Sequence, residues 1–153
     1  VDPSMTAAWA SQTRQQAADL PEMLKSVLLT TEHLLSCYQG VPIAKAQNLR
    51  LELRRQTAAA LAGVDLMMTP TIPTVAFELL DRRAQPGEMA ERMQRSMGAT
   101  TNTMPFDLTG NPALSLPCGT GEHDLPVGLQ LIGPHFGEEL VYRTAFAFEE
   151  ANT

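Results

Sequence analysis

Hydrophobic positions follow a helical period in the first part of the chain and form short runs in the second. Residues 4–18 are rich in Ala and Gln and poor in breakers, which predicts a helix. Asp19-Leu20-Pro21-Glu22 opens a second one in the manner of a capping box, with Asp19 accepting from the first turn. Leu20, Met23, Leu24, Val27, Leu28, Thr31, Leu34, Leu35 and Tyr38 then share one stripe of that helix. Gly40 and Pro42 are expected to stop it. A third helix is predicted from Ile43 to Ala62. Its inner face carries Ala46, Leu49, Leu53, Thr57 and Ala60, while Gln47, Arg50 and Arg54 face away. Gly63 stands where a left-handed cap is wanted.

The run Val64-Asp65-Leu66-Met67-Met68-Thr69-Pro70 reads as a strand buried on both faces. Residues 72–87 form a loop marked by Pro73, Pro86 and Gly87. A fourth helix from Glu88 to Thr100 places Met89, Met93 and Met97 on one side, as core filling or as a pliable wall. Strands follow at Ala113 to Pro117 and Val127 to Ile132. The turn-rich stretch Gly119 to Asp124 joins them as a hairpin. The last helix runs from Glu138 to Ala151, its inner stripe formed by Leu140, Thr144, Ala147, Phe148 and Ala151. Glu138 and Glu139 suit its positive N-terminal end, and Glu139 pairs with Arg143. The pattern is α/β, with a helical segment over residues 1–42 and a mixed part over 43–153. Three strands cannot bury this much apolar helix, and the sheet keeps an open edge.

Composition narrows the function classes. The chain has 153 residues, 44 % of them hydrophobic, which fits one globular domain. The net charge is −6, and the only tight basic pairs are Arg54-Arg55 and Arg82-Arg83. No nucleic-acid partner is expected from so sparse a basic surface. No apolar run reaches the roughly 20 residues of a membrane span, so no membrane partner is expected either. Val1-Asp2-Pro3-Ser4 has no signal-peptide character and no initiator Met, which suits an excised or processed segment. Cys37 and Cys118 lie far apart, a usage that fits a reducing cytoplasm. His33, His123 and His135 lack metal-ligand spacing, so no metal and no cofactor is expected.

The C-terminal half carries a resemblance. Thr103-Met104-Pro105-Phe106-Asp107-Leu108-Thr109-Gly110-Asn111-Pro112-Ala113-Leu114-Ser115-Leu116-Pro117-Cys118-Gly119 resembles the C-terminal block of the amidase-signature family. Leu125-Pro126-Val127-Gly128-Leu129-Gln130-Leu131-Ile132-Gly133 is similar to the same family, as is the stretch from His135 to Glu149. Upstream, Ala44 to Arg50 and Val64 to Thr71 most resemble broad-specificity, nitrile-hydratase-associated amidases. The resemblance implies the C-terminal segment of the amidase-signature fold, a mixed β-sheet flanked by α-helices. It implies hydrolysis of a small-molecule carboxamide to carboxylate and ammonia through an acyl-serine. Gly128 and Gly133 bracket a strand where side chains would block close packing.

The family's Ser, cis-Ser and Lys belong to a Gly/Ser-rich part that lies N-terminal to everything matched. Ser4, Ser11, Ser26, Ser36, Ser96 and Ser115 have no Gly neighbours, and Lys25 and Lys45 sit inside predicted helices. No catalytic residue is therefore assigned in this chain, which needs the missing N-terminal part of the domain as its partner. Ser115, His123 and Asp124 are the residue types of a triad, but they lack a nucleophile elbow. Four residues are candidates for the substrate pocket: Thr71, Thr100, Asn102 and Phe106. Thr69 to Pro73 is either a pocket rim or a rigid turn. Near Thr100, glutamine-handling tRNA-dependent amidotransferases tend to carry an acidic residue; Thr100 has no charge, which favours a neutral amide. Alternatives are a fragment of the glutamine-hydrolysing component of a glutamyl/aspartyl-tRNA amidotransferase and a non-catalytic scaffold, with a homodimer as a way to cover the open edge. Cys118 is expected as a small buried side chain, His135 at the surface, and Trp9 as an anchor of the first helix.

Overall fold

A computed structural model describes residues 2–79 and 89–152. Pro86, Gly87, Glu88 and the pair Arg82-Arg83 lie outside the described residues, as does the side chain of Met89. The chain divides into two units, one ending at Pro42 and one beginning at Ile43.

The first unit holds α1 (Pro3–Gln15), a 3-10 turn (Ala17–Asp19) and α2 (Glu22–Tyr38). Asp2 caps α1: its Oδ1 accepts from the Ser4 hydroxyl and the Ser4 N–H, each at 2.8 Å. These donors, the hydroxyl first, hold the exposed Asp2 carboxyl below its ordinary range. Asp19 does not cap α2. It is spent in the 3-10 turn, and Pro21 takes the cap position without a side-chain bond. Gln39 and Gly40 turn left-handed and end α2, with φ of 46° and 81°. Pro42 then lies in the first turn of α3 (Val41–Leu61), where its missing N–H costs nothing. Pro42 thus starts a helix where it was expected to stop one. Neither α1 nor α2 buries a residue. Trp9 is 75 % exposed and anchors nothing.

In the second unit, α3 buries Thr57 and Leu61 and half-buries Arg50, Leu53 and Arg54. The two arginines therefore belong to the inner face, against expectation, and Leu49 is exposed. Arg50 Nε donates to Leu108 O at 2.9 Å, and Arg54 Nη2 lies 3.5 Å from His135 Nε2. Long guanidinium stems can cover apolar neighbours while the head finds an acceptor. Gly63 takes no left-handed conformation. A turn with Val64 N donating to Leu61 O at 3.3 Å leads out of α3 instead.

The strands β1 (Met67–Pro70), β2 (Ala113–Thr120) and β3 (Pro126–Ile132) form one sheet in the order β1-β3-β2. The chain is α/β, and helices of this second unit flank the small sheet, whose described pairs are antiparallel. Met67 faces Ile132 in one pair and Leu116 faces Leu129 in the other. β1 is an edge strand of alternating burial, with Met68 66 % exposed, so it is not buried on both faces. β2 and β3 make the expected hairpin. Its tip closes where Gly121 N donates to Leu125 O at 2.8 Å, and His123 and Asp124 turn left-handed there.

The core joins Leu116 and Leu131 of the sheet to Val141 and Ala145 of α6 (Glu138–Ala151). Leu66, Leu114, Leu129 and Phe148 pack around them. The buried stripe of α6 is rotated from the expected one: Ala147 and Ala151 are exposed. A Cβ on Gly133 would meet Val141 Cγ2 at 2.7 Å, so Gly133 lets α6 approach the sheet. Cys118 is exposed and its thiol faces Val127 O at 3.5 Å, not the core. α4 (Met89–Ala99) half-buries Met93 and leaves Met97 53 % exposed. Among the described residues no helix is long and apolar enough to cross a membrane.

Candidate functional site

The two faces of the sheet differ in chemistry. Leu114, Leu116, Leu129 and Leu131 turn toward α6. Period two then turns Thr69, Ser115, Gly128 and Gln130 to the opposite face. Thr71 joins them because its N–H donates to Gly128 O at 2.8 Å, which carries the β1 ladder one residue further.

Thr71 Oγ1 and Ser115 Oγ lie 2.6 Å apart. Both hydroxyls stand over Gly128, where an added Cβ would meet them at 2.7 and 2.9 Å. Beside them Gln130, only 3 % exposed, donates from Nε2 to Asn102 O at 3.0 Å. Its distance to Thr69 Oγ1 is 3.4 Å. Asn102 in turn donates from Nδ2 to Pro70 O at 2.8 Å. Two amide side chains thus tie the turn before α5 (Met104–Thr109) to β1 and β3.

The helix α5 is too short to show a period, and only Pro105 near its start and Gly110 at its end mark it in the sequence. Gly110 is left-handed, with φ of 77°, and its N–H donates to Phe106 O at 2.7 Å. Phe106 is half-buried and helps line a concavity of about 310 Å³ with Thr71, Thr103, Asp107, Ser115 and Gln130. A second hollow of about 350 Å³ shares Thr71 and Ser115 with the first. It is lined by Thr71, Ile72, Thr74, Ser115, Pro126 and Val127, among others, and among the described residues by no ionisable side chain.

Thr71 and Phe106 therefore meet in one concavity. Asn102 stands behind it as a clamp and does not line it. Thr100 is exposed and sits apart from the lining, its hydroxyl donating to Met97 O at 3.1 Å. Ser115 and Gln130 belong to the site as well. Both were visible in the sequence only as strand residues, and the hairpin register with alternate positions on one face was the signal that could have placed them.

The hydroxyl of Ser115 has Thr71 as its hydrogen-bond partner. His123 and Asp124 lie at the hairpin tip and make no hydrogen bond to it. A hydroxyl needs a base in reach to become a strong nucleophile, and His123 and Asp124 are not placed to activate Ser115. Among the described residues no group of His, Cys, Asp and Glu side chains is arranged to hold a metal ion.

Comparison with known proteins gives concordant matches. Residues 4–142 match the model of the amidase family. An uncharacterised protein encoded in the 5′ region of nthA in Rhodococcus erythropolis is 38 % identical over 149 residues. That match covers 97 % of this chain and 73 % of the Rhodococcus protein. A glutamyl-tRNA(Gln) amidotransferase component from Halothermothrix orenii is 35 % identical over 130 residues, covering 85 % of this chain and 26 % of that protein. The solved structure of the same component from Thermotoga maritima superposes with a TM-score of 0.60 at 26 % identity, over 88 % of this chain and 28 % of that structure. A solved amidase superposes with a TM-score of 0.64 at 27 % identity, over 92 % of this chain and 30 % of that structure. The chain thus spans about a quarter to a third of the amidotransferase and amidase relatives it matches.

Proposed function

This chain belongs to the amidase family, and we propose that it supplies the C-terminal α/β part of an amide hydrolase. In this reading residues 43–153 complete the hydrolase domain and residues 1–42 form a helical segment before it. The reaction converts a carboxamide and water to a carboxylate and ammonia through an acyl-serine. The nucleophile and its base come from sequence outside these 153 residues. Two free, exposed cysteines accord with a reducing cytoplasm as its place of work.

One observation carries the reading: the concavity between α5 and the polar sheet face pairs hydroxyls with Phe106 and, among the described residues, has Asp107 as its one ionisable lining residue and no cationic one. Such a wall suits the uncharged acyl portion of a neutral amide better than a zwitterionic amino acid, whose carboxylate needs a cationic partner. Fluorophosphonate labelling followed by intact mass measurement tests the division of labour. The chain alone is expected to keep its own mass. A stoichiometric adduct on Ser115 or on any other serine would refute it.

The matches to glutamyl-tRNA(Gln) amidotransferases favour a second reading, in which the parent protein releases ammonia from glutamine for a partner protein. Thr100, uncharged and outside the concavity, weighs against it. A complete protein carrying this segment that prefers glutamine to benzamide would select the second reading over the first.

A further inference from the structure

The concavity that Phe106 lines holds one charged side chain among the described residues, and that charge is uncommitted. Thr103 donates from its hydroxyl to Thr100 O at 3.2 Å, Asn111 from Nδ2 to Gly133 O at 2.8 Å, and Gln130 from Nε2 to Asn102 O at 3.0 Å. These neutral side chains hold the wall together. Asp107 differs: its carboxylate has no hydrogen-bond or ion-pair partner among the described residues. Arg50 reaches the same helix but engages the neighbouring carbonyl, Leu108 O, through Nε at 2.9 Å, and Gln47 Oε1 through Nη1 at 3.1 Å.

An ionised carboxylate offers acceptors only. Water satisfies them while the concavity is open. A ligand seated against Phe106 displaces part of that water, and its own chemistry then decides the outcome. A hydroxyl or amino donor on the ligand restores the lost hydrogen bond. An apolar group leaves the carboxylate short of a partner, which costs more than the bond itself contributes. A carboxylate on the ligand adds repulsion between like charges. In the same lining, the hydroxyl pair of Thr71 and Ser115 keeps one proton free for an acceptor. The concavity therefore asks for a ligand with a donor for Asp107 and an acceptor for that hydroxyl.

We infer that Asp107 determines substrate specificity: it selects amides whose acyl portion carries a hydroxyl or amino donor and turns away those whose acyl portion carries a carboxylate. This role rests on the hydrolase reading above and names the substrate class for it. It is separate from the apolar contact of Phe106, the preceding residue of α5. A site that hydrogen-bonds a substrate group rejects the analogue lacking it more strongly than an apolar pocket discriminates by size. Asp107 is exposed, so the discrimination expected here is about tenfold, well below that of an enclosed site.

The test is kcat/KM of a complete amidase that carries this chain, measured on benzamide and on its hydroxy, amino and carboxy derivatives. The parent is expected to favour the hydroxy and amino derivatives over benzamide and to disfavour the carboxy derivative. Asp107→Asn keeps an acceptor and removes the charge, so the ratio of carboxy derivative to benzamide is expected to rise about tenfold. Asp107→Leu removes the acceptor as well, and the advantage of the hydroxy derivative is expected to vanish. Glu138→Gln removes one charge outside the lining and is expected to leave both ratios in place. Hydrolysis with the same ratios in the parent and both Asp107 variants overturns this role and leaves the hydrolase reading standing. Ratios that move as far in Glu138→Gln overturn it too, because net charge then sets them. A complete protein that hydrolyses none of the four amides overturns both.

Discussion

Thr71 Oγ1 and Ser115 Oγ stand 2.6 Å apart across β3, and Gly128 lies beneath both. The two hydroxyls come from opposite edges of the sheet, and they can meet only because the strand between them has no side chain there. One hydroxyl donates to the other, which leaves one proton free for a ligand. The glycine is therefore as much part of the polar face as the hydroxyls.

Gly128→Ala tests that dependence. The new methyl would sit 2.7 Å from Thr71 Oγ1 and 3.2 Å from Thr71 Cβ, so the loop after β1 must move. A loss of about 1–3 kcal/mol is expected from such overpacking. Urea unfolding of the single variant and of its combination with Thr71→Ala measures it. The loss should be smaller in the double variant, since the nearer clash is gone. Equal losses in both backgrounds would mean that the strain lies elsewhere.

Much of this surface was hidden from the sequence for one reason: it is made by pairing over long separations. α6 was legible from Glu138 to Ala151 because Gly137, two leading glutamates and a local period mark it. The hairpin of β2 and β3 was legible because Gly119 to Asp124 punctuate it. In contrast, Ser115 meets Gln130 and Thr71 only once the register is set. Asn102 reaches Pro70 over 32 positions, and no local pattern announces that bond. The inward turn of Arg50 and Arg54 was missed because a polarity pattern counts the guanidinium and ignores its apolar stem. β1 looked by composition like a strand buried on both faces, yet burial of a face is set by what packs on it, and β1 alternates between half-buried and exposed.

Gln130→Leu probes the clamp. It removes a buried donor and leaves Asn102 O without its partner at 3.0 Å. An unsatisfied carbonyl at a site this closed is expected to cost about 1–3 kcal/mol, although leucine is more apolar than glutamine. The midpoint of urea unfolding reports it. A variant as stable as the parent would show that water reaches Asn102 O freely.

The two units should differ in local stability. α1 and α2 bury no residue, and most helical stability in proteins comes from packing. Leu131 and Ile132 in β3 are 1 % and 0 % exposed and paired on both sides. Amide exchange by NMR is expected to be slowest at these β3 residues and fast throughout α1 and α2. Protection in α2 equal to that of Leu131 would show that its apolar stripe is covered in solution.

Phe106 gives the sharpest test of the proposed substrate wall. Its ring helps line the concavity shared with Thr71 and Ser115, whereas its backbone carbonyl is already engaged by Gly110. Phe106→Ala thus removes apolar surface without removing a hydrogen bond from the end of α5. In a complete amidase that carries this chain, the ratio of kcat/KM for aromatic over small aliphatic amides is expected to fall. Loss of one apolar contact surface in a binding pocket changes such ratios on the order of tenfold to a hundredfold. The rate of acyl-enzyme formation at saturating small amide should stay near the parent value, because the reacting groups lie on other residues. An unchanged ratio across both amide classes would remove Phe106 from the substrate wall and leave it a packing residue of α5.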